Sequence, residues 1–362
     1  MSLTGTPFFA LTVLFAVVST VLLLVLWNRL RGPLAVRLAG RVGLALLSQA
    51  AAVLCVMVWV NNTQGPFYES WSDLFGTGGS AQVALPGGVQ ARGIGGTRPT
   101  AAERLSFTRQ AGGVLKTVAV GPRSGIKAEL LVWLPPEYRE PGYAHRSFPV
   151  VELLPGFPGA PSTWFGSMHG PQVLERLVAE RKAGPAILVA PQMNVLGHTD
   201  PGCADVPGTA ATATWLGRDV PALVKANFRA QHPARDWGVM GYSAGGYCAV
   251  NLAVHYPGTF HSAVSLSGYN APIAGPVLAD PVLAAENNPL LVLRRARRQP
   301  DVTLLMTGTD QDGGTVRDAY AIMRAARPPA RVLPLIAPKG GHNTGVWHSM
   351  LPAAFTWLAR QT

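Results

Sequence analysis

The chain has 362 residues, 48% hydrophobic and only 14% charged, against a usual charged fraction of about 25%; that deficit points to a chain not facing water along its whole length. The formal charge is +11, from 30 basic and 19 acidic residues, yet no basic stripe interleaved with aromatics exists, which argues against a nucleic-acid surface. The three cysteines, Cys55, Cys203 and Cys248, form no CxxC pair, so neither a zinc nor a dithiol redox motif is expected.

Residues 8–27 (FFALTVLFAVVSTVLLLVLW) and 42–60 (VGLALLSQAAAVLCVMVWV) carry no charge. About 20 such residues in a helix cross a bilayer. Gln49 is the one strongly polar side chain of the second segment, tolerable if it faces the partner helix. The first segment lacks the basic leader of a signal peptide. Both therefore read as membrane spans. Arg29, Arg31, Arg37 and Arg41 fall between them, while the leading MSLTGTP has no basic residue. The stretch after the second span has Glu69 and Asp73 but again no basic residue. Basic residues stay on the cytoplasmic side, so the N-terminus and the long C-terminal part are expected outside. Cys55 reads as a small apolar residue of the second span. The expected organisation is a transmembrane hairpin over 1–75, a Gly/Pro/Ala-rich linker or loosely docked strap over 76–104, and a globular domain over 105–362.

In that domain, 114–120 and 128–134 are strand-like segments joined by a Gly-Pro-Arg-Ser-Gly turn, an antiparallel opening. Residues 148–154 (FPVVELL) and 186–191 (AILVAP) are short continuous apolar runs, suited to strands buried on both faces. Helical spacing appears over 171–183 and over 219–230, the latter with Asp219 placed as N-cap. Further strands are expected over 236–243, 260–268, 301–308 and 331–337. Helices are expected over 245–256, 316–326 and 348–361. This alternation predicts an α/β fold with a mostly parallel sheet and helices on both faces, its site at the carboxyl ends of the strands.

Gly241-Tyr242-Ser243-Ala244-Gly245 is a G-x-S-x-G motif between an apolar strand and a helix. That context makes Ser243 a candidate nucleophile on a tight strand-to-helix turn. A serine needs a base, and in this fold the chain order is serine, acid, histidine. No acid lies between Ser243 and Asp280, which disqualifies His255 and His261. His342, in the glycine-rich KGGHNTGVW, is the expected base, ahead of His348. Asp310 and Asp312 both follow the strand LLMTG; we assign the acid to Asp310 and read Asp312 as a solvated loop residue. The acid would fix the imidazole tautomer and stabilise the imidazolium. The oxyanion hole needs two backbone N–H groups; Ala244 and Phe157, in Pro155-Gly156-Phe157-Pro158-Gly159, are expected to supply them.

The segments VWLPPEY, VVELLPGFPG, GYSAGGYCAVNLAVHYPGTFHSAVSLSG and GGHNTGVW resemble the esterase family that includes esterase D (S-formylglutathione hydrolase) and the antigen 85 mycolyltransferases. The resemblance spans about 115–360 and implies an α/β-hydrolase fold, with the family's serine on Ser243 and its histidine on His342. Where the family often has His-Gly before the oxyanion turn, this chain has Pro155-Gly156. The two spans ahead of a hydrolase domain are similar to uncharacterised actinobacterial membrane esterases. The expected function is a membrane-anchored serine esterase or acyltransferase acting outside the cytoplasm on an ester or thioester, of a small molecule or an envelope lipid or glycan, without a cofactor. An inactive envelope-binding protein that keeps the fold is the competing reading. An external compartment permits a disulfide between Cys203 and Cys248, pinning the loop of Cys203 beside the site. His198, Asp200 and Cys203 are too irregularly spaced for a metal site. Trp164, Phe165 and Trp347 are candidates to line an acyl pocket, though each reads better as a core or rim residue.

Overall fold

The computed structural model describes residues 5–63, 71, 82–83 and 104–361, and the chain divides into two compact units, Met1–Phe75 and Gly76–Thr362. In the first unit, helices α1 (Thr6–Leu26) and α2 (Leu34–Thr63) pack on each other, and both are long and apolar enough to cross a membrane. Small residues let two such helices approach closely. Thr12, Ser19, Ser48 and Ala51 are accordingly buried, and Thr20 Oγ1 lies 2.9 Å from Ser48 Oγ. Large apolar side chains, Leu24, Leu38 and Met57 among them, point outward. Gln49 is exposed, and it is its neighbour Ser48 that faces α1. Consecutive residues differ by about 100° around a helix, so only one of the two can. Arg37 and Arg41 lie within α2 rather than in the connection, which is confined to residues 27–33. Arg41 Nε still donates to the carbonyl of Trp27, at 3.0 Å.

The second unit opens with β1 (Gln82–Val83), β2 (Thr108–Arg109), β3 (Leu115–Val120) and β4 (Ile126–Trp133), all antiparallel to their neighbours. Most of the expected linker over 76–104 lies outside the described residues; β1 within it pairs with β4. Then follow β5 (Val150–Leu154), α3 (Gly170–Ala179), β6 (Ile187–Pro191), a separate ribbon of β7 (Asp205–Val206) and β8 (Ala210–Ala211), and α4 (Val220–Asn227). Next come β9 (Trp237–Tyr242), α5 (Ala244–His255) and β10 (Ser262–Leu266). Three short helices lead on from there: α6 (Gly275–Leu278), α7 (Pro281–Glu286) and α8 (Pro289–Arg295). The chain closes through β11 (Thr303–Thr309), α9 (Thr315–Ala325), β12 (Arg331–Ala337) and α10 (Thr344–Leu358).

The strand order is β12-β11-β10-β9-β5-β6-β4-β3-β2, parallel from β12 to β6. The unbroken apolar runs are explained by this placement, because every residue of β5, β6, β9, β10 and β11 is buried and both faces of these strands are covered. Val150, Leu154, Val189 and Val239 face a core shared with α4, α5, α8 and α9; Leu153, Leu188, Met240 and Leu305 face α3 and α10. The chain steps from β5 outward to β6 on one side and then returns to β9 on the other. In open α/β sheets ligands bind at such a reversal, here above the carboxyl ends of β5 and β9.

Asp219, expected to cap a helix, is instead inside continuous helical backbone, in a π-helical turn (Trp215–Asp219) that runs into α4. Its fully buried carboxylate accepts from the backbone N–H of Ser124 at 2.8 Å and of Arg123 at 3.2 Å. The side chain thus satisfies the β3–β4 turn across the molecule, a demand that local sequence does not reveal.

Candidate active site

Five loops meet at the carboxyl ends of the parallel strands. Between β9 and α5 the backbone turns sharply at Ser243, which has φ 55° and ψ −121°. Such a conformation is costly for a residue with a side chain and persists only where the surroundings hold it. Here the N–H of Ser243 donates to the Leu266 carbonyl at 2.9 Å, and its carbonyl accepts from Tyr247 N–H at 3.1 Å. The flanking glycines are steric necessities. A Cβ on Gly241 would lie 2.1 Å from the Gly245 carbonyl oxygen, and one on Gly245 would lie 2.3 Å from that of Leu154.

His342 lies in the loop between β12 and α10, whose start is capped by the side chain of Asn343, accepting from Val346 N–H at 3.1 Å. Its Nε2 is 2.7 Å from Ser243 Oγ. Its Nδ1 is 2.9 Å from Oδ1 and 3.1 Å from Oδ2 of Asp312. The acid beside the histidine is therefore Asp312; Asp310, the residue assigned from the sequence, is exposed. The cause is the turn after β11. Asp312 N–H donates to the Thr309 carbonyl at 3.0 Å, and Thr315 Oγ1 donates to the Asp312 carbonyl at 2.9 Å. This fold-back carries the third residue past the strand inward and leaves the first on the rim. The Asp312 side chain is 7% exposed and that of His342 43%. The acid and histidine loops are also clasped directly: Thr309 Oγ1 donates to the Gly340 carbonyl, and Gly340 N–H to Gln311 Oε1.

The turn over 155–159 follows β5 and stands over Ser243: a Cβ on Gly156 would lie 3.2 Å from Ser243 Cβ and 2.9 Å from Tyr242 Cε2. Asn194, in the loop after β6, was not singled out in the sequence. Its buried Nδ2 donates to the carbonyls of Gly156, at 2.9 Å, and Gly159, at 2.7 Å. Those two bonds fix the turn over 155–159. Ala244 is the first residue of α5, where a helix N–H has no intrahelical acceptor and the helix dipole favours negative charge.

Trp164 and Trp347 are buried. Trp347 sets its ring edge-on to His342, at 4.9 Å, and stacks on Tyr242 at 4.6 Å; Trp164 backs Tyr242 from 5.5 Å. This aromatic column braces the histidine from below, with Phe165 half-buried against the same core. His348, the alternative base, lies beside His169 on α10. Cys203 and Cys248 form a disulfide that ties the loop of Cys203 to the elbow helix α5. A cavity of about 40 Å³ lined by Pro149, Gly238, Ser262 and Phe355 opens at the opposite, amino-terminal ends of the strands, and no titratable side chain lines it.

Residues 122–358 match the family model described as "Putative esterase". The chain belongs to this esterase family. An uncharacterised protein of Corynebacterium glutamicum is 25% identical to this esterase over 252 residues, covering 66% of this chain and 58% of the relative. The esterase thus spans less than two thirds of that relative's length. Among solved structures, a ferulic acid esterase is similar with TM-score 0.58 and 21% identity, over 69% of this chain and 98% of that one. S-formylglutathione hydrolase of Agrobacterium tumefaciens gives TM-score 0.54 and 16% identity, over 72% and 99% of the two chains. FphF, a fluorophosphonate-binding serine hydrolase of Staphylococcus aureus, gives 0.54 and 19%, over 68% and 98%. At these identities the likeness establishes the α/β-hydrolase fold.

Proposed function

We propose that this esterase is a membrane-anchored serine acyl-ester hydrolase or acyltransferase that works outside the cytoplasm through Ser243, His342 and Asp312. The observation that carries the reading is the unbroken chain of contacts from Ser243 Oγ through both nitrogens of His342 to Asp312. Ser243 Oγ attacks the carbonyl carbon of an ester or thioester while its proton passes to His342 Nε2. Asp312 accepts the Nδ1–H bond throughout, which fixes the tautomer and stabilises the imidazolium. Backbone N–H groups of Ala244 and Phe157 receive the oxyanion. As the tetrahedral intermediate collapses, the carbon–oxygen or carbon–sulfur bond breaks and His342 returns the proton to the leaving alcohol or thiol. Water or an acceptor alcohol then attacks the acyl-Ser243 ester as His342 takes its proton, and the acyl–Oγ bond breaks as His342 returns that proton to Ser243.

Two observations support the external, anchored placement. The arginines gathered near the hairpin connection follow the positive-inside rule for a cytoplasmic turn. The Cys203–Cys248 disulfide suits an oxidising compartment. Fluorophosphonate labelling of membranes tests the chemistry. Wild-type chain is expected to label at Ser243 and to hydrolyse short-chain aryl esters; Ser243→Ala is expected to do neither. A wild-type chain that is neither labelled nor active would support the envelope-binding reading instead.

A further inference from the structure

Two histidines that the acyl-transfer chemistry does not use meet next to it. His169 immediately precedes α3, and His348 lies one turn into α10. Both helices start from the carboxyl end of the parallel strands, α3 after β5 and α10 after β12, so both histidines are at the Ser243 end of the sheet. Their ring centroids are 5.9 Å apart, with the planes nearly perpendicular. His255, His261 and His342 all bond through their rings. No ring nitrogen of His169 or His348 has a partner among the described residues.

A guanidinium completes the group. Arg176 follows His169 by seven residues, which returns it to the same face of α3, and side chains on a helix lean toward its N-terminus. Burial, then the charges of His169 and Arg176, hold the His348 imidazole below its ordinary pKa. Arg176 forms no ion pair among the described residues. Acids are scarce here. The loop over 155–169 and all of α10 contain none, and the loop before α10 adds only Lys339 and His342 to the charged and titratable groups. On α3, Glu180 pairs with Lys182 at 2.8 Å, and Glu175 is turned about 100° from Arg176 around the helix. Asp312 is engaged by His342.

Two imidazoles and a guanidinium gathered without an acid repel one another once either ring takes a proton. An oxyanion removes that conflict, because the guanidinium offers it a fork of N–H donors and each imidazolium another. A divalent metal would suit the two imidazoles alone; the guanidinium beside them repels it, so Arg176 sets the sign of the ligand.

We propose that His169, His348 and Arg176 hold a phosphate group carried by the ester that Ser243 attacks. The proposal rests on the acyl-transfer reading above and names its substrate class, a phosphorylated acyl ester. The phosphate is bound and not cleaved; the bond that breaks remains the acyl one. The placement fits this role. Trp347, the neighbour of His348, sets its ring 4.9 Å from His342. Gly345, exposed and midway between His342 and His348 in sequence, leaves the rim between them open: a Cβ placed on it would meet only Asn343 Oδ1, at 3.3 Å.

The test uses the full chain in neutral detergent micelles, with its histidines labelled at Cε1, titrated by NMR with and without inorganic phosphate; H169N and H348N assign the two resonances. Phosphate is expected to raise the titration midpoint of His348 by at least about half a pH unit in wild type and to leave it unmoved in R176Q. An unmoved wild-type midpoint at about 50 mM phosphate, well above the millimolar range of a weak site, would overturn the proposal, as would a response to zinc ion and none to phosphate. Kinetics tests the assignment to substrate, with a soluble acyl ester phosphorylated on its alcohol and its unphosphorylated counterpart. Wild type is expected to favour the phosphorylated ester at least about tenfold in kcat/KM, through KM, and R176Q to lose most of that ratio. Free phosphate is expected to compete with the phosphorylated ester alone. Phosphate binding with no preference between the esters would overturn the assignment to substrate. If neither ester is turned over and Ser243 takes no fluorophosphonate, the acyl-transfer reading falls, while the NMR titration still decides the anion site.

Discussion

Nδ1 of His342 lies 2.9 Å from Oδ1 of Asp312, a contact between the loops that follow two neighbouring parallel strands, β12 and β11. The pair depends on the turn of Thr309–Asp312 and on the clasp between Thr309, Gln311 and Gly340. Asp312→Asn keeps the shape but presents an amide in place of the carboxylate, favouring the wrong tautomer. It is expected to lower kcat by about 10³–10⁴. Asp310→Asn is expected to stay within about twofold of wild type. Steady-state ester hydrolysis by the two variants checks the assignment, and an inactive Asp310→Asn beside an active Asp312→Asn would reverse it.

Asn194 donates to both Gly156 and Gly159 from a buried position. Asn194→Ala removes both bonds and loosens the turn over 155–159, from which the proposed mechanism takes its second oxyanion donor, Phe157 N–H. A misaligned oxyanion donor costs transition-state binding more than ground-state binding. The expected result is a fall in kcat of about 10–100-fold with KM changed less than about threefold. A change confined to KM would place Asn194 in substrate binding.

Glu152 sits at the middle of β5, fully buried, and neither carboxyl oxygen has a partner among the described residues. Burial pushes its pKa well above the ordinary 4.5. The folded chain therefore holds this proton to higher pH than the unfolded chain does. The associated stability is complete below about pH 4.5 and is lost as pH rises toward the folded-state value. Glu152→Gln, which carries no titrating proton, is expected to flatten that decline, gaining on wild type more at pH 8 than at pH 5. Urea unfolding of both proteins at the two pH values reads the difference, and parallel pH dependences would exclude a titrating Glu152.

The disulfide closes a loop with a sequence separation of 45 residues. A loop of that length constrains the unfolded chain by about 3–4 kcal/mol in the chain-entropy account. The double variant Cys203→Ser/Cys248→Ser is expected to lose stability on that scale. It is also expected to expose the loop near Cys203 to limited proteolysis, while Cys55, the free cysteine of α2, can be replaced with little effect. Thermal unfolding and timed protease digestion measure both.

Much of this molecule is dictated locally. The two uncharged runs and the period-free apolar strands depend only on what each residue avoids in water, and they appear as α1, α2 and the buried parallel strands. Ser243 was legible because its turn demands small neighbours at fixed positions, a steric rule written in five consecutive residues. His342 followed from chain order and its glycine-rich loop. What the sequence left undecided concerns groups that meet only after folding. Asp310 and Asp312 are two residues apart in one loop, and only the inward hydrogen bond to Thr309 selects which faces the imidazole. Asp219 looked like a helix cap, but its partners lie on a turn about 95 residues earlier. Asn194 had no local signature, since its acceptors belong to a loop more than 30 residues away. Local propensity and hydrophobicity act between neighbours, so the sequence by itself determined the elements and the sharp turn at Ser243. The acid beside the histidine and the brace of the turn over 155–159 depend on contacts between distant segments, and only the tertiary structure decided them.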